Sequence, residues 1–251
     1  MLRLTAVCLP LLLALVVGGA VPAMGADPAT GQRSKEEIGE IIREYLLNNP
    51  EVIFEAAARH QEKQRQLQAQ RDRALLKQHR QALLADPDSF VGGNPDGDVT
   101  LVEFFDYRCG YCKRFAPALE KIKKDDPNVR VVYKEFPVLG PDSLRGAHAA
   151  LAARKQGRYL EFHEALMRVR GALDEGTLMK VARSVGLDVD RLRKDMKNPK
   201  IQDIIGKTRR LATALSINGT PAVIVGNQIA RGAVPFAELT RMIARARAEG
   251  S

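Results

Sequence analysis

The spacing of apolar residues in the first third of the chain predicts two helices. One face of the first helix is marked at helical intervals by Ile38, Ile41, Ile42 and Tyr45. Ser34 and Glu37 form a capping box in front of that face. A second helix is predicted over residues 50 to about 84, and its middle, residues 59 to 73, is almost wholly polar.

A long helix that is polar on every side cannot be packed inside a globule. We therefore expect residues 27–85 to form a helical arm, in which residues 34–84 bury their apolar ends by self-association into a homo-oligomer. The alternative is a helical pair that folds back onto the rest of the chain.

The pattern changes after a series of turn signals between residues 86 and 98. Residues 99 to 105 predict a buried strand in which Glu103 is the one charged residue. Cys109 begins a helix that reaches about Lys124, with Pro117 inside it as an expected kink. Residues 128 to 136 predict a second strand, and this order implies a parallel pair with a right-handed crossover.

The remaining sequence predicts a helical insertion and the end of the sheet. Helical patterns cover residues 143–155, 158–170, 175–185, 189–196 and 201–216. A hairpin around Gly226 and Asn227 and a final helix over residues 235–248 follow. Residues 86–251 are therefore expected to form one α/β domain with a helical insertion at about 141–216.

The N-terminus has the order of a secretory signal peptide: a cationic start, an apolar run over residues 4–21, and small residues before Asp27. We expect residues 1–26 to be this signal peptide, cleaved between Ala23 and Asp27, and the mature protein to be periplasmic. An uncleaved membrane anchor is the alternative, because the run is nearly long enough to span a bilayer.

The charge of the chain changes this expectation little. Lys and Arg number 39 against 30 Asp and Glu, a net charge of +9, but the basic residues are scattered and not gathered in one block. The chain contains no Trp, and its aromatic content of 5% argues against an aromatic platform for bases. We expect a solvated basic surface and no nucleic-acid partner.

The cysteines supply the chemistry. Cys8 lies in the predicted signal peptide, which leaves Cys109 and Cys112. Exported proteins usually use cysteines to link distant segments, but here the pair can close only on itself. At the start of a helix, free backbone N–H groups and the helix dipole stabilise a thiolate at Cys109. We therefore assign Cys109 as the attacking thiolate and Cys112, one turn on, as the resolving thiol.

A metal site and a purely structural disulfide both fit the cysteine pair less well. A structural zinc site usually needs four ligands, and the histidines of this chain form no ligand-spaced pair. A structural disulfide across two residues would close a tiny loop and stabilise little. We expect no metal and no other cofactor.

Residues 102–112, from Val102 to Cys112, resemble the active-site strand and helix of the DsbA family of thioredoxin-fold thiol–disulfide oxidoreductases. Gly219-Thr220-Pro221-Ala222 is similar to the family's loop opposite the active site, and the likeness covers roughly residues 99–248. It implies a thioredoxin-like core with an inserted helical domain, preceded here by an α-helical oligomerisation arm.

The resemblance also implies roles for individual residues. Pro221 would be cis and would present the Thr220 backbone to a substrate strand, with Gly110 and Tyr111 as further substrate contacts. Glu103 would lie beneath the cysteines and move protons for Cys112, where burial would raise its pKa. The alternative for Glu103 is a carboxylate on an edge strand that faces solvent.

The direction of the reaction is less clearly indicated. Glu103 and the helical insertion resemble the oxidase branch, whereas Gly110-Tyr111 and Thr220 resemble disulfide isomerases. The arm resembles oligomeric relatives, including the trimeric suppressor-of-copper-sensitivity proteins. An oligomer favours an isomerase or reductase that acts on misfolded proteins with cysteines and depends on a membrane redox partner. The alternatives are a monomeric DsbA-type oxidase and an oligomeric periplasmic holdase chaperone.

Overall fold

The computed structural model describes residues 33–250. The predicted signal peptide, its cleavage site and Cys8 lie outside the described residues. The chain divides into two compact units, Met1–Ala58 and Arg59–Ser251. Within the described residues, no helix has both the length and the apolar character needed to cross a membrane.

The described part of the first unit is helical. Helix α1 (Lys35–Asn48) is followed by the start of α2 (Glu51–Gln78). The capping box is confirmed: Glu37 N–H donates to Ser34 Oγ at 3.2 Å, and Ser34 N–H donates to Glu37 Oε2 at 2.9 Å. Every residue of α1 remains at least partly exposed.

The second unit contains a five-stranded mixed sheet in the order β1-β3-β2-β4-β5. Strands β2 and β3 are parallel, as predicted, and the other pairings are antiparallel. The strands are β1 (Phe90–Gly93), β2 (Val99–Phe105), β3 (Val129–Glu135), β4 (Ala222–Val225) and β5 (Gln228–Arg231). The sequence indicated only a short apolar segment at β1, because pairing with β3 is what makes those four residues a strand.

Helices surround this sheet, with bounds within two residues of the predicted ones in the insertion. They are α3 (Arg80–Leu84), α4 (Gly110–Asp125), α5 (Pro141–Ala153), α6 (Tyr159–Arg168), α7 (Glu175–Ser184), α8 (Val189–Asp195), α9 (Pro199–Ala214) and α10 (Phe236–Ala248). The predicted helix to residue 84 is interrupted at His79, whose φ of −103° and ψ of 14° leave helical geometry. The segment is therefore two helices, α2 and α3.

The two faces of the sheet have separate cores, and alternation along β2 assigns each residue to one of them. Leu101 and Phe105 belong to the core that contains α4, α5, α6 and α10. Val102 and Phe104 belong to the other core, together with Leu76 of α2 and Leu83 of α3. The C-terminal part of the predicted arm therefore packs within the second unit.

Candidate active site

Both cysteines lie where β2 passes into α4. Cys109 is the N-cap of α4, and its Sγ accepts the Cys112 N–H at 3.5 Å. The Cys109 N–H in turn donates to the Asp106 carbonyl oxygen at 3.0 Å. Both thiols are free, so this is the dithiol form of the pair. The sulfur of Cys109 thus faces the N–H groups at the positive end of a helix.

Cys112 is the more enclosed of the two thiols. Its exposed fraction is 0%, against 6% for Cys109. Burial raises the pKa of Cys112, and the charge of Glu103 raises it further. A thiol in that environment needs a nearby base before it can attack, because the thiolate is the nucleophile.

Glu103 is a buried carboxyl group whose charge raises the pKa of Cys112. The edge-strand alternative is wrong, because β2 lies between β3 and β4 and Glu103 is only 2% exposed. By alternation its side chain lies on the face covered by α4. Burial raises its pKa from 4.5 to about 8, the charge of Glu120 acts in the same direction, and Lys123 opposes both. A carboxyl with this pKa can accept and return a proton near neutral pH.

The loop before β4 completes the site. The Thr220–Pro221 peptide bond is cis, in agreement with the resemblance. The Cys109 thiol donates to the Thr220 carbonyl oxygen at 3.2 Å. Tyr111 points outward with 61% of its surface exposed, and the Arg114 guanidinium lies 4.3 Å from its ring centroid. Gly110 beside it is also exposed.

Asp106 is a functional candidate that the sequence analysis missed. Its side chain is buried, and it accepts hydrogen bonds at 2.7 to 3.0 Å from the Ser143 hydroxyl and from the N–H groups of Arg108, Val138 and Leu139. One carboxylate therefore fixes both the turn before Cys109 and the loop that carries Val138 and Leu139. An Asp whose carboxylate accepts the N–H two residues later is typical of an Asx turn, so the sequence could have predicted the contact with Arg108. It could not predict the contacts with Val138 and Leu139, which are far away in the sequence.

A second buried polar cluster lies next to the site. The hydroxyls of Tyr107 and Tyr159 both donate to Glu135 Oε1 at 2.8 Å, and the Tyr107 oxygen lies 3.1 Å from His163 Nδ1. Burial raises the pKa of Glu135 to about 8 and lowers that of His163 to about 3. His163 is therefore a neutral core residue. Within residues 33–250, no group of three His, Cys, Asp or Glu side chains is arranged to hold a metal ion.

Comparison with known protein families gives two matches. Residues 100–244 match the DSBA-like thioredoxin domain, which is more than half of the chain. Residues 35–66 match the N-terminal domain of copper resistance protein ScsC.

Solved structures with this fold include a thioredoxin-like oxidoreductase from Silicibacter pomeroyi. It is 45% identical with a TM-score of 0.66, and the match covers 67% of this chain and 98% of that one. A linker-deletion mutant of Proteus mirabilis ScsC is 28% identical with a TM-score of 0.66 and covers 89% of this chain and 100% of its own.

A curated relative, the Na(+)/H(+) antiporter NhaA 3 of Salinispora tropica, is 30% identical over 174 residues, which are 66% of this chain and 27% of that protein. The chain spans about a quarter of the length of the curated relatives it matches.

Proposed function

This chain belongs to the family of DSBA-like thioredoxin domains and is a thiol–disulfide oxidoreductase, and we propose that it acts in the periplasm as a homo-oligomeric isomerase or reductase of misfolded, cysteine-containing proteins. The observation that carries the proposal is the dithiol at the head of α4. The Cys109 sulfur accepts the Cys112 N–H, and its thiol donates to the Thr220 carbonyl oxygen. The Cys112 thiol is enclosed, and the charge of the buried Glu103 raises its pKa.

The reaction proceeds by two exchanges. The Cys109 thiolate attacks a client disulfide, a bond forms between Cys109 Sγ and one client sulfur, and the other client sulfur leaves as a thiolate. Cys112 then gives its proton to the Glu103 carboxylate and attacks Cys109 Sγ. The first client sulfur leaves, the client is reduced and the cysteine pair is oxidised. In isomerisation, a client thiolate attacks the mixed disulfide instead and restores Cys109.

The surface beside Cys109 suits unfolded clients. Tyr111, Val138 and Leu139 are large apolar side chains that remain between 39% and 61% exposed. A single exposed apolar side chain is common on protein surfaces. Here, however, Val138 and Leu139 lie together on the loop that Asp106 holds beside the cysteine turn. We assign client binding to Thr220, Pro221, Gly110 and Tyr111, with the Thr220 backbone facing the client chain.

Oligomerisation is supported by the first helix. Its apolar residues are about half exposed, and Leu47 reaches 69%. Phe54, at the start of α2, is 75% exposed. Soluble monomers rarely leave a contiguous apolar surface of this kind uncovered. Residues 35–66 also match the N-terminal domain of ScsC. Of the predicted oligomerisation segment, residues 34–84, the C-terminal end is already covered, because Leu76 and Leu83 are buried against the sheet. We propose that its exposed N-terminal part carries the oligomerisation. An oligomer favours isomerase or reductase activity because it brings several active sites to one client.

The proposed periplasmic location rests on the signal peptide predicted at residues 1–26. The arm and the catalytic domain were expected to divide near residue 86, whereas the compact units divide between Ala58 and Arg59. A membrane redox partner would then reset the oxidation state of the cysteines. A second candidate is a monomeric DsbA-type oxidase, which the buried Glu103 and the helical insertion favour.

Charged substitutions on α1 separate these two candidates. The double variant Ile41→Asp/Tyr45→Asp should reduce the mass measured by light scattering to that of a monomer. It should also lose isomerisation of scrambled ribonuclease and keep oxidation of reduced ribonuclease. Arg43→Ala, an exposed change on the same helix, is the control. A wild-type protein that is already monomeric, or a monomeric variant with full isomerase activity, contradicts the proposal.

Trapping tests the roles of the two cysteines and separates a catalyst from a holdase. Cys112→Ser should accumulate a mixed disulfide with a scrambled client, since the resolving thiol is gone, and Cys109→Ser should accumulate none. Non-reducing gels with mass spectrometry identify the bonded cysteine. A Cys109→Ser variant that retains client turnover would show that the pair does not carry the activity.

A further inference from the structure

Three exposed arginines lie next to the proposed client surface. Arg108 directly precedes Cys109, and Arg114 follows the cysteine pair on α4. Arg209 lies on α9 and donates to the Pro137 carbonyl oxygen at 2.7 Å, so its guanidinium contacts the start of the loop that carries the exposed apolar side chains. The surface therefore combines apolar side chains with a border of positive charge.

The acids beside these arginines do not balance their charge. Asp106 is buried, and its carboxylate already accepts hydrogen bonds from the Ser143 hydroxyl and three backbone N–H groups. Asp142 lies 3.3 Å from the Arg108 guanidinium but also binds Arg145. The other two arginines form no ion pair with the rest of the described chain. The net positive charge that remains favours an acidic partner segment.

Arg114 reaches back over the two residues between the cysteines. Its guanidinium carbon lies 4.3 Å from the centroid of the Tyr111 ring. A Cβ placed on Gly110 would lie 3.5 Å from Arg114 Nη1, so the guanidinium also covers this residue. Within residues 33–250 the guanidinium accepts this ring contact and forms no hydrogen bond. Its N–H donors are therefore available to a ligand at the surface.

The first exchange brings a client segment against this guanidinium. Once Cys109 Sγ is bonded to a client sulfur, the client residues beside that sulfur lie against the residues that adjoin Cys109, and Gly110 is the next of these along α4. An extended chain advances about 3.3 to 3.6 Å per residue. A side chain one or two positions from the client cysteine can therefore reach a group that covers Gly110.

A carboxylate is the client group that fits this guanidinium. A guanidinium is planar and always charged, and it can bind a carboxylate through two parallel hydrogen bonds while it stacks on an aromatic ring. The Tyr111 ring thus orients the Arg114 side chain without using its N–H donors. In water, a carboxylate beside a disulfide repels an attacking thiolate, because like charges repel. Binding to an arginine would offset that repulsion.

We propose that the Arg114 guanidinium binds a carboxylate next to the reacting cysteine of the client, so that the protein acts preferentially on disulfides flanked by Asp or Glu. The inference rests on the proposed function, because it concerns the client of the same cysteine pair. Arg108 and Arg209 attract acidic segments over a longer range, and Arg114 makes the direct contact. The preference acts in the first exchange, in which Cys109 Sγ bonds to one client sulfur and the other leaves as a thiolate.

The test measures the first exchange with three peptides. Each is the symmetrical disulfide of one short sequence with a single cysteine, and the residue beside that cysteine is Glu, Gln or Lys. The full chain with Cys112→Ser stops at the mixed disulfide, which acid quenching and mass spectrometry quantify and assign to Cys109. Each rate is divided by the rate of the same peptide with mercaptoethanol, which corrects for the reactivity of the peptide itself. At low salt the Glu peptide should react about fivefold faster than the Gln peptide, the upper end for an exposed ion pair, and the Lys peptide should be slowest.

Three arginine variants assign the preference. Arg114→Gln removes the guanidinium and should bring the ratio of the Glu to the Gln rate close to one. Arg114→Lys keeps the charge but loses the planar fork, so it should retain only part of the ratio. Arg183→Gln removes the same charge from an exposed arginine on α7 and should keep the full ratio, which controls for the net charge of the chain.

The outcomes separate this inference from the proposed function. A ratio near one before any change at Arg114, or a ratio that survives Arg114→Gln, overturns the inference. An equal loss of rate for all three peptides in Arg114→Gln would show that the arginine acts on the Cys109 thiolate and not on the client, and would overturn it as well. In each of these cases the mixed disulfide still forms and the proposed function stands. If no peptide forms a mixed disulfide with Cys109, the proposed function itself is wrong.

Discussion

Replacing Glu103 with Gln should stabilise the protein increasingly as the pH rises. The folded state raises the pKa of this carboxyl from 4.5 to about 8, mainly through burial. A group whose pKa is raised by folding stabilises the fold fully below its unfolded pKa, and that contribution is lost as the pH rises through its folded pKa. Gln has a similar shape and cannot ionise, so the variant avoids the loss.

The size of the effect follows from the same shift. Each pH unit between 4.5 and about 8 should widen the difference in free energy of unfolding between variant and wild type by about 1.4 kcal/mol. The full difference at the upper end is then about 4 to 5 kcal/mol. The charge of Glu103 also raises the pKa of Glu135, so relief at that neighbour acts in the same direction.

Urea unfolding followed by circular dichroism measures this difference, since the chain contains no tryptophan for fluorescence. Both proteins should carry Cys109→Ser and Cys112→Ser, so that no thiol of the pair titrates. Glu161→Gln, a change at an exposed glutamate paired with Arg158, is the matched control and should follow the wild-type curve. A constant difference between Glu103→Gln and wild type across this pH range would refute the reasoning, because it would mean that Glu103 is solvated.

Three further predictions concern buried charges and the core histidine. Lys134→Met removes a buried ammonium that binds Asp86 at 2.9 Å, and it should lower the free energy of unfolding in urea by about 3 to 5 kcal/mol. Adding Asp86→Ala should recover part of that loss. A loss below about 0.5 kcal/mol for Lys134→Met would contradict the prediction. Asp72→Ala breaks a two-bond contact with Arg231 at 2.8 and 2.9 Å. It should cost about 2 kcal/mol, and strict additivity with Arg231→Ala in a double-mutant cycle would argue against coupling. The His163 imidazole signals in NMR should not titrate above about pH 5, because burial lowers its pKa to about 3; a midpoint near its ordinary 6.5 would show an accessible ring.

Much of this architecture was predictable because its signals are local. Helical periodicity placed the insertion helices within two residues, and the change from strand to helix located Cys109 at a helix start. The Ser34 capping box needs only residues three positions apart. Such features depend on intervals that a single segment contains.

The features that escaped prediction depend on contacts between distant segments. Strand β1 is four residues long with two glycines, and only its pairing with β3 distinguishes it from a loop. Asp106 acts through N–H groups more than thirty residues away. The hydrogen bonds of Tyr107 run from the turn after β2 to Glu135 on β3 and to His163 on α6. Because these residues are far apart in the sequence, the periodic pattern of a single segment could not predict their contacts.

The carboxylate of Asp106 has a consequence for how client preference can diverge. It grips Val138 and Leu139 through their main-chain N–H groups alone and leaves both side chains facing outward. Nineteen of the twenty standard residues carry that N–H, so the side chains of the proposed client surface can change while the turn before Cys109 keeps its position. Proline lacks this N–H, so a proline at position 138 or 139 would weaken the hydrogen bonding of Asp106 that holds the loop beside the cysteine turn.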